Sequence, residues 1–270
     1  MFRIDWRTFF ILTTLVLSAL SVSAHEYWLA PEKFVIAANE TVAVHLFVGD
    51  GLVKDREERP FQPEKTVLFR LFSTLGERDL VPSAVAGSTL VLRFSERHEG
   101  EYLIGMERNW SFITIEAPKF EDYLRDEGMD YILPQRAKLG ESAKPGRERY
   151  SRFLKSLVLV GDKHDDAYKK RLGQHLEIVL LDDPYKQKVG GTVRFQIWFD
   201  GKPLANASVF ADNTSSKTQK LTTDKKGIAT MHIANKGLWM IRIVRMRRCK
   251  SDCGEADWES FWSALTFGAE

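Results

Sequence analysis

Apolar positions in the first third of the chain fall in short runs broken by glycine, proline, serine and charged turns. Residues 41–48 alternate: Val42, Val44, Leu46 and Val48 share one side, and Thr41, Ala43, His45 and Phe47 the other, the period of a half-buried strand. Residues 66–72, 89–94, 100–106 and 110–115 repeat such β-rich runs. Several short strands at this spacing predict a β-sandwich.

The texture changes after Pro118. Phe120, Tyr123 and Leu124 have helical spacing within residues 120–128, whereas residues 136–149 are polar, carry Gly140, Pro145 and Gly146, and read as an exposed loop. Over residues 148–160, Tyr150, Phe153, Leu154, Leu157 and Val158 fall at i, i+3, i+4, i+7 and i+8. That stripe predicts an amphipathic helix, ended by the polar turn of residues 161–166.

A second β pattern follows. Residues 176–181 form a strand closed by Asp183-Pro184, and residues 192–199 put Val193, Phe195, Ile197 and Phe199 on one face and Arg194, Gln196 and Trp198 on the other. Asp200-Gly201 signals a hairpin. Strands are expected at 207–211, 228–233 and 239–244, with a Ser/Thr/Lys-rich turn between the first two and a tight turn at Asp224–Gly227. The aromatic tail, residues 258–267, ends in a closing strand at 264–267.

The N-terminus reads differently. Arg3 and Arg7 precede an apolar run from Phe9 to Leu20, which ends in Val22-Ser23-Ala24. This is the pattern of a secretory signal peptide cleaved after Ala24, and the run is shorter than a membrane-spanning helix requires. Export leaves about 245 residues, room for two modest domains. The expected organisation is a signal peptide (1–24), an N-terminal β-sandwich (25–118), a helical connector (119–174) and a C-terminal β-sandwich (175–270). A composition of 44% hydrophobic and 28% charged residues is that of an ordinary globular protein. A net charge of +2 gives no reason to expect a nucleic-acid partner. In an oxidising compartment the close pair Cys249 and Cys253 is expected as a disulfide rather than a soft-metal site.

Several segments taken in order resemble one family. They are His25-Glu26-Tyr27-Trp28-Leu29-Ala30-Pro31, Tyr150-Ser151-Arg152-Phe153-Leu154, Leu176-Glu177-Ile178 with Asp183-Pro184, Asp200-Gly201-Lys202-Pro203-Leu204, Thr223-Asp224-Lys225-Lys226-Gly227, and Asp257-Trp258-Glu259-Ser260-Phe261-Trp262 with Leu265-Thr266-Phe267. The set is similar to the DUF4198 family of bacterial periplasmic proteins, which resemble the periplasmic component of nickel or cobalt uptake systems. The turns of the second β module also resemble those of transthyretin-like and carboxypeptidase-regulatory-like sandwiches. The resemblance implies a mainly β protein of two Ig-like or transthyretin-like sandwiches, and a metal ligand at His25.

Residue chemistry agrees with that implication. Cleavage after Ala24 frees an α-amine on His25, and that amine and the imidazole Nδ1 can chelate one ion. Nitrogen donors of this kind suit nickel, cobalt, copper and zinc. His45, on a strand, is the second candidate ligand. His98 lies in a charged turn, His175 precedes a strand and His232 lies within one. His164 sits in a turn with Asp162, Asp165 and Asp166 that could hold a hard cation. Related sequences carry a histidine after the tryptophan of the C-terminal module, where this chain has Arg242, Arg245, Arg247 and Arg248, and arginine cannot replace an imidazole ligand.

No nucleophile elbow, His-Glu-x-x-His or phosphate loop is present in the sequence, so an enzyme is not expected. The expected function is a periplasmic binder of a divalent transition metal, accessory to an inner-membrane nickel or cobalt transporter. The alternatives are an adaptor that docks another protein through the aromatic tail or the arginine strand, and a copper-dependent oxidase built on His25.

Overall fold

The computed structural model describes residues 26–270; the expected signal peptide and His25 lie outside the described residues. The first strands are β1 (Glu26–Pro31), β2 (Val35–Ile36), β3 (Val42–Asp50), β4 (Lys54–Glu58), β5 (Thr66–Ser73), β6 (Gly76–Asp79), β7 (Leu90–Phe94) and β8 (Gly100–Ile115). Helices α1 (Ala117–Asp126) and α2 (Leu133–Lys138) precede β9 (Gly146–Val160) and β10 (Leu176–Leu180). Then come β11 (Thr192–Phe199), β12 (Lys202–Pro203), β13 (Ser208–Asn213), β14 (Ser216–Thr222), β15 (Ile228–His232), β16 (Gly237–Arg248) and β17 (Trp258–Ala269).

The protein is mainly β, and its sheets pack face to face, as the sequence pattern predicts. The two sandwiches, expected as modules joined by a connector, share one sheet. Nine strands form it, in the order β14-β13-β16-β17-β9-β8-β5-β6 with β2 added beside β9. Smaller sheets cover its two faces. One is built on β3, which pairs with β1, β4 and β7; the other is built on β11, which pairs with β10, β12 and β15.

Strand β9 shows how the layers arise. Leu154, Val158 and Val160 point into the core under the β3 sheet, while Phe153 and Leu157 point into the core under the β11 sheet. A central strand covered by a sheet on each side buries residues of both faces. This explains the first correction: residues 148–160 are extended, not helical. Apolar residues on both faces of a strand happened to coincide with helical spacing, and tertiary burial chose the strand.

Other differences follow from the same central sheet. The runs at 100–106 and 110–115 are one sixteen-residue strand, β8, paired along most of its length with β9. The 136–149 loop begins inside α2, and Arg136 is buried, its guanidinium donating to the carbonyls of Glu141 and Lys144 at 2.6 Å. The Ser/Thr/Lys-rich turn is largely β14, an edge strand whose polar residues suit a solvated edge. The closing strand spans all of β17, held between β16 (antiparallel) and β9 (parallel). The helix expected near Phe120 is present as α1; it buries Phe120, Tyr123 and Leu124 against Val244, Met246, Trp258 and Trp262. Cys249 and Cys253 form the expected disulfide.

Candidate metal centre

Three loops or strand ends at the edge of the β11 sheet meet at one point. Glu101 is the second residue of β8. His164 lies in the turn after β9, and Asp183 lies just beyond β10, where its carboxylate caps the 3-10 turn Pro184–Lys186 by accepting from the Tyr185 amide at 2.8 Å. Two glycines let the 161–166 turn fold back on β8. Gly161 has φ +65°, and a Cβ there would lie 2.5 Å from Glu99; a Cβ on Gly100 would lie 2.7 Å from Asp165 Oδ2. Asp165 secures the turn by accepting from Thr74 Oγ1 at 3.0 Å and the Ala167 amide at 3.0 Å.

His164 Nδ1 lies 2.7 Å from Asp183 Oδ2 and 4.0 Å from Glu101 Oε1. The Glu101 side chain is wholly buried and that of Asp183 is 3% exposed, while His164, at 26%, forms the open side. Glu101 Oε2 accepts from the Tyr168 amide at 3.3 Å. Its Oε1 is buried, and the side chain shares a proton-holding hydrogen bond with Asp183. Burial, and then the neighbouring Asp183 carboxylate, push the Glu101 carboxyl up to about 9.

One atom from each side chain thus converges, all within 4.8 Å of one another. Zinc-like ions hold nitrogen and oxygen ligands at about 2.0–2.2 Å, which places tetrahedral ligand atoms roughly 3.3 Å apart. The separations of 2.7 and 4.0 Å bracket that value, so modest side-chain rotation would suffice. An imidazole with two carboxylates suits zinc, nickel, cobalt or manganese better than Cu(I), which prefers sulfur. With its carboxyl held up at about 9, Glu101 keeps its proton near neutral pH, and an ion bound at this point would take the place of that proton.

The sequence-based candidates fare differently. His45 sits on β3 with Nδ1 3.3 Å from Glu58 Oε2 and Nε2 3.7 Å from Glu32 Oε1, lining a groove of about 640 Å³ with Phe34, Phe47 and Arg56. Its register partner is Ala30, whereas Glu26, the chain neighbour of His25, pairs with Gly49. Four residues of strand separate Ala30 from Glu26, about 13 Å, so β1 holds His45 well away from the start of the described chain. His175 Nδ1 is engaged by Asp200 Oδ1 at 2.8 Å, and His98 bonds its neighbour Arg97 at 2.9 Å. His164 is in the centre, but its partners are Glu101 and Asp183 rather than the aspartates of its own turn. Nothing in the local spacing pairs residues 63 and 19 positions apart. The available signal was a glutamate opening a strongly apolar run, Glu101-Tyr102-Leu103-Ile104.

The residues offered for an adaptor surface make contacts within the chain. Every residue of β17 is buried. Arg242 is held by Glu26 (3.0 Å), Glu127 (2.9 Å) and Asp212 (2.7 Å); Arg248 pairs with Glu141 (2.9 Å) and Asp257 (3.2 Å), and Arg247 with Glu259 and Asp200.

The fold is therefore a layered β protein with a buried Glu-His-Asp cluster at one sheet edge. By sequence, the chain belongs to the family described as a domain of unknown function, DUF4198, whose model matches residues 22–247. Strand β17 lies beyond the matched region although it is central to the sheet. No curated protein sequence matches the chain. Among the described residues no helix is long and apolar enough to cross a membrane.

Proposed function

We propose that this chain is an exported, non-enzymatic binder of a divalent transition metal, with Glu101, His164 and Asp183 as its protein ligands. The observation that carries the reading is the convergence of one ligand atom each from Glu101, His164 and Asp183 within 4.8 Å, with both carboxyl side chains buried. Three protein ligands leave further coordination positions for water or for a group on a delivering or receiving partner. Nickel or cobalt supply to an inner-membrane transporter is the role we assign. It is supported by the leader-like N-terminus and by the family's resemblance to uptake components. We read the cluster's use as binding rather than turnover.

The test is equilibrium dialysis of the purified exported protein against nickel, cobalt, zinc and copper, with metal counted by mass spectrometry. Stoichiometric binding that disappears in His164→Ala and persists in His25→Ala supports the reading. Binding unchanged in His164→Ala overturns it. Loss in His25→Ala alone returns the site to the chain start.

A further inference from the structure

A cationic side chain already stands at this cluster. Lys186 Nζ lies 3.6 Å from Asp183 Oδ2, the same oxygen that faces His164 Nδ1 at 2.7 Å. Among the described residues Lys186 is the one lysine or arginine within ion-pair distance of the cluster's carboxylates. Its position is set by the backbone: Asp183 caps the Pro184–Lys186 turn, which places Lys186 three residues on, over the capping carboxylate. Asp183 is buried while the Lys186 side chain is 58% exposed, so the ammonium can swing into water with little loss of packing.

Resting on the metal-binding reading above, we infer that Lys186 is a built-in counter-cation that competes with the metal for Asp183. In the metal-free chain its ammonium partly neutralises the carboxylate. A divalent ion bound to Asp183 Oδ2 would repel that ammonium at close range, so binding must displace Lys186 and give up its ion pair. The device weakens the centre without removing a ligand, and it suits a protein that must hand its ion on. Exposed ion pairs contribute modestly, so the handicap is expected to be roughly two- to fivefold in affinity.

Calorimetric titration of the purified protein with nickel and zinc tests this, comparing the native chain with Lys186→Met, Lys186→Arg and Lys188→Met. Lys186→Met should bind roughly two- to fivefold more tightly. Lys186→Arg should stay near the native value, because it keeps the charge. Lys188→Met removes an equivalent exposed charge two residues on and should change little. As a second readout, acetylation of Lys186 by an amine-reactive reagent should increase when metal is added. Equal or weaker binding by Lys186→Met, or an equal gain in Lys188→Met, overturns the inference while leaving the metal centre standing. If neither the native chain nor Lys186→Met binds either metal, the metal centre itself is wrong and Lys186 falls with it.

Discussion

His164 Nδ1 and Asp183 Oδ2 lie 2.7 Å apart although they belong to different loops, one after β9 and one after β10. The contact bridges two layers, because β9 is central in the nine-stranded sheet and β10 is in the sheet that covers it. A ligand bound here ties those layers together. Metal should therefore raise the melting temperature of the native protein, by an amount corresponding to about 2.7 kcal/mol at a hundredfold excess over Kd. His164→Ala and Asp183→Asn should show no such shift in differential scanning calorimetry. A full metal-induced shift in both variants would place the ion elsewhere.

The start of the mature chain is open to a direct measurement. Edman or mass-spectrometric sequencing of exported protein should begin at His25, since Val22-Ser23-Ala24 fits signal-peptidase cleavage. If His25 chelates through its freed amine, one residue added before it should impair cobalt or zinc binding as much as His25→Ala. Under the centre described above, both changes leave binding intact.

Stability should fall as pH rises through the range where Glu127 titrates. Glu127 is buried beside Glu26, Asp212 and Asp126; burial is the largest cause holding its carboxyl up at about 7, against 4.5 ordinarily, while Arg242 pulls the other way. The folded chain thus binds a proton that the unfolded chain has lost between about pH 4.5 and 7. Its stabilising contribution is complete below that window and gone above it, a difference of roughly 3 kcal/mol. Burial raises Glu148 to about 7 as well, and it adds with the same sign. Glu127→Gln should flatten the decline in urea midpoint between about pH 5 and 7.5, and the double variant with Glu148→Gln should flatten it further. A native slope in the double variant would show that these carboxyls titrate normally.

Lys155 and Glu177 form an ion pair across the layers at 2.7 Å, with side chains 1% and 0% exposed. The ammonium also donates to the Ile178 carbonyl at 3.0 Å. Glu177 in turn accepts from the backbone amides of Leu172 and Gly173, fixing the approach to β10. Lys155→Met leaves the buried Glu177 with only the more distant Arg171 (3.8 Å) as a cation and should cost about 3–5 kcal/mol in urea unfolding. A cost under about 1 kcal/mol would mean that water reaches the pair.

Much of this molecule was legible in the chain. The alternation at 41–48 and 192–199 assigned both strands and their buried faces, because a half-buried strand exposes every second residue to water and the residues themselves record that choice. The helical spacing of Phe120, Tyr123 and Leu124 identified α1 for a similar reason, and the closeness of Cys249 and Cys253 foretold their bond. Residues 148–160 were not legible. A strand buried on both faces has no regular alternation of apolar and polar residues, so its apolar residues fit a helix equally well until the covering sheets are in place. Glu101 and Asp183 escaped reading for a related reason, and His164 was grouped with the aspartates of its own turn. Each sits in a locally ordinary segment, and only the shared central sheet, by bringing the start of β8 beside the ends of β9 and β10, makes one centre of them. Sequence alone determined β content and most strand faces, because those are properties of contiguous residues. Tertiary structure decided the layering and the site, because both depend on contacts between residues far apart in the chain.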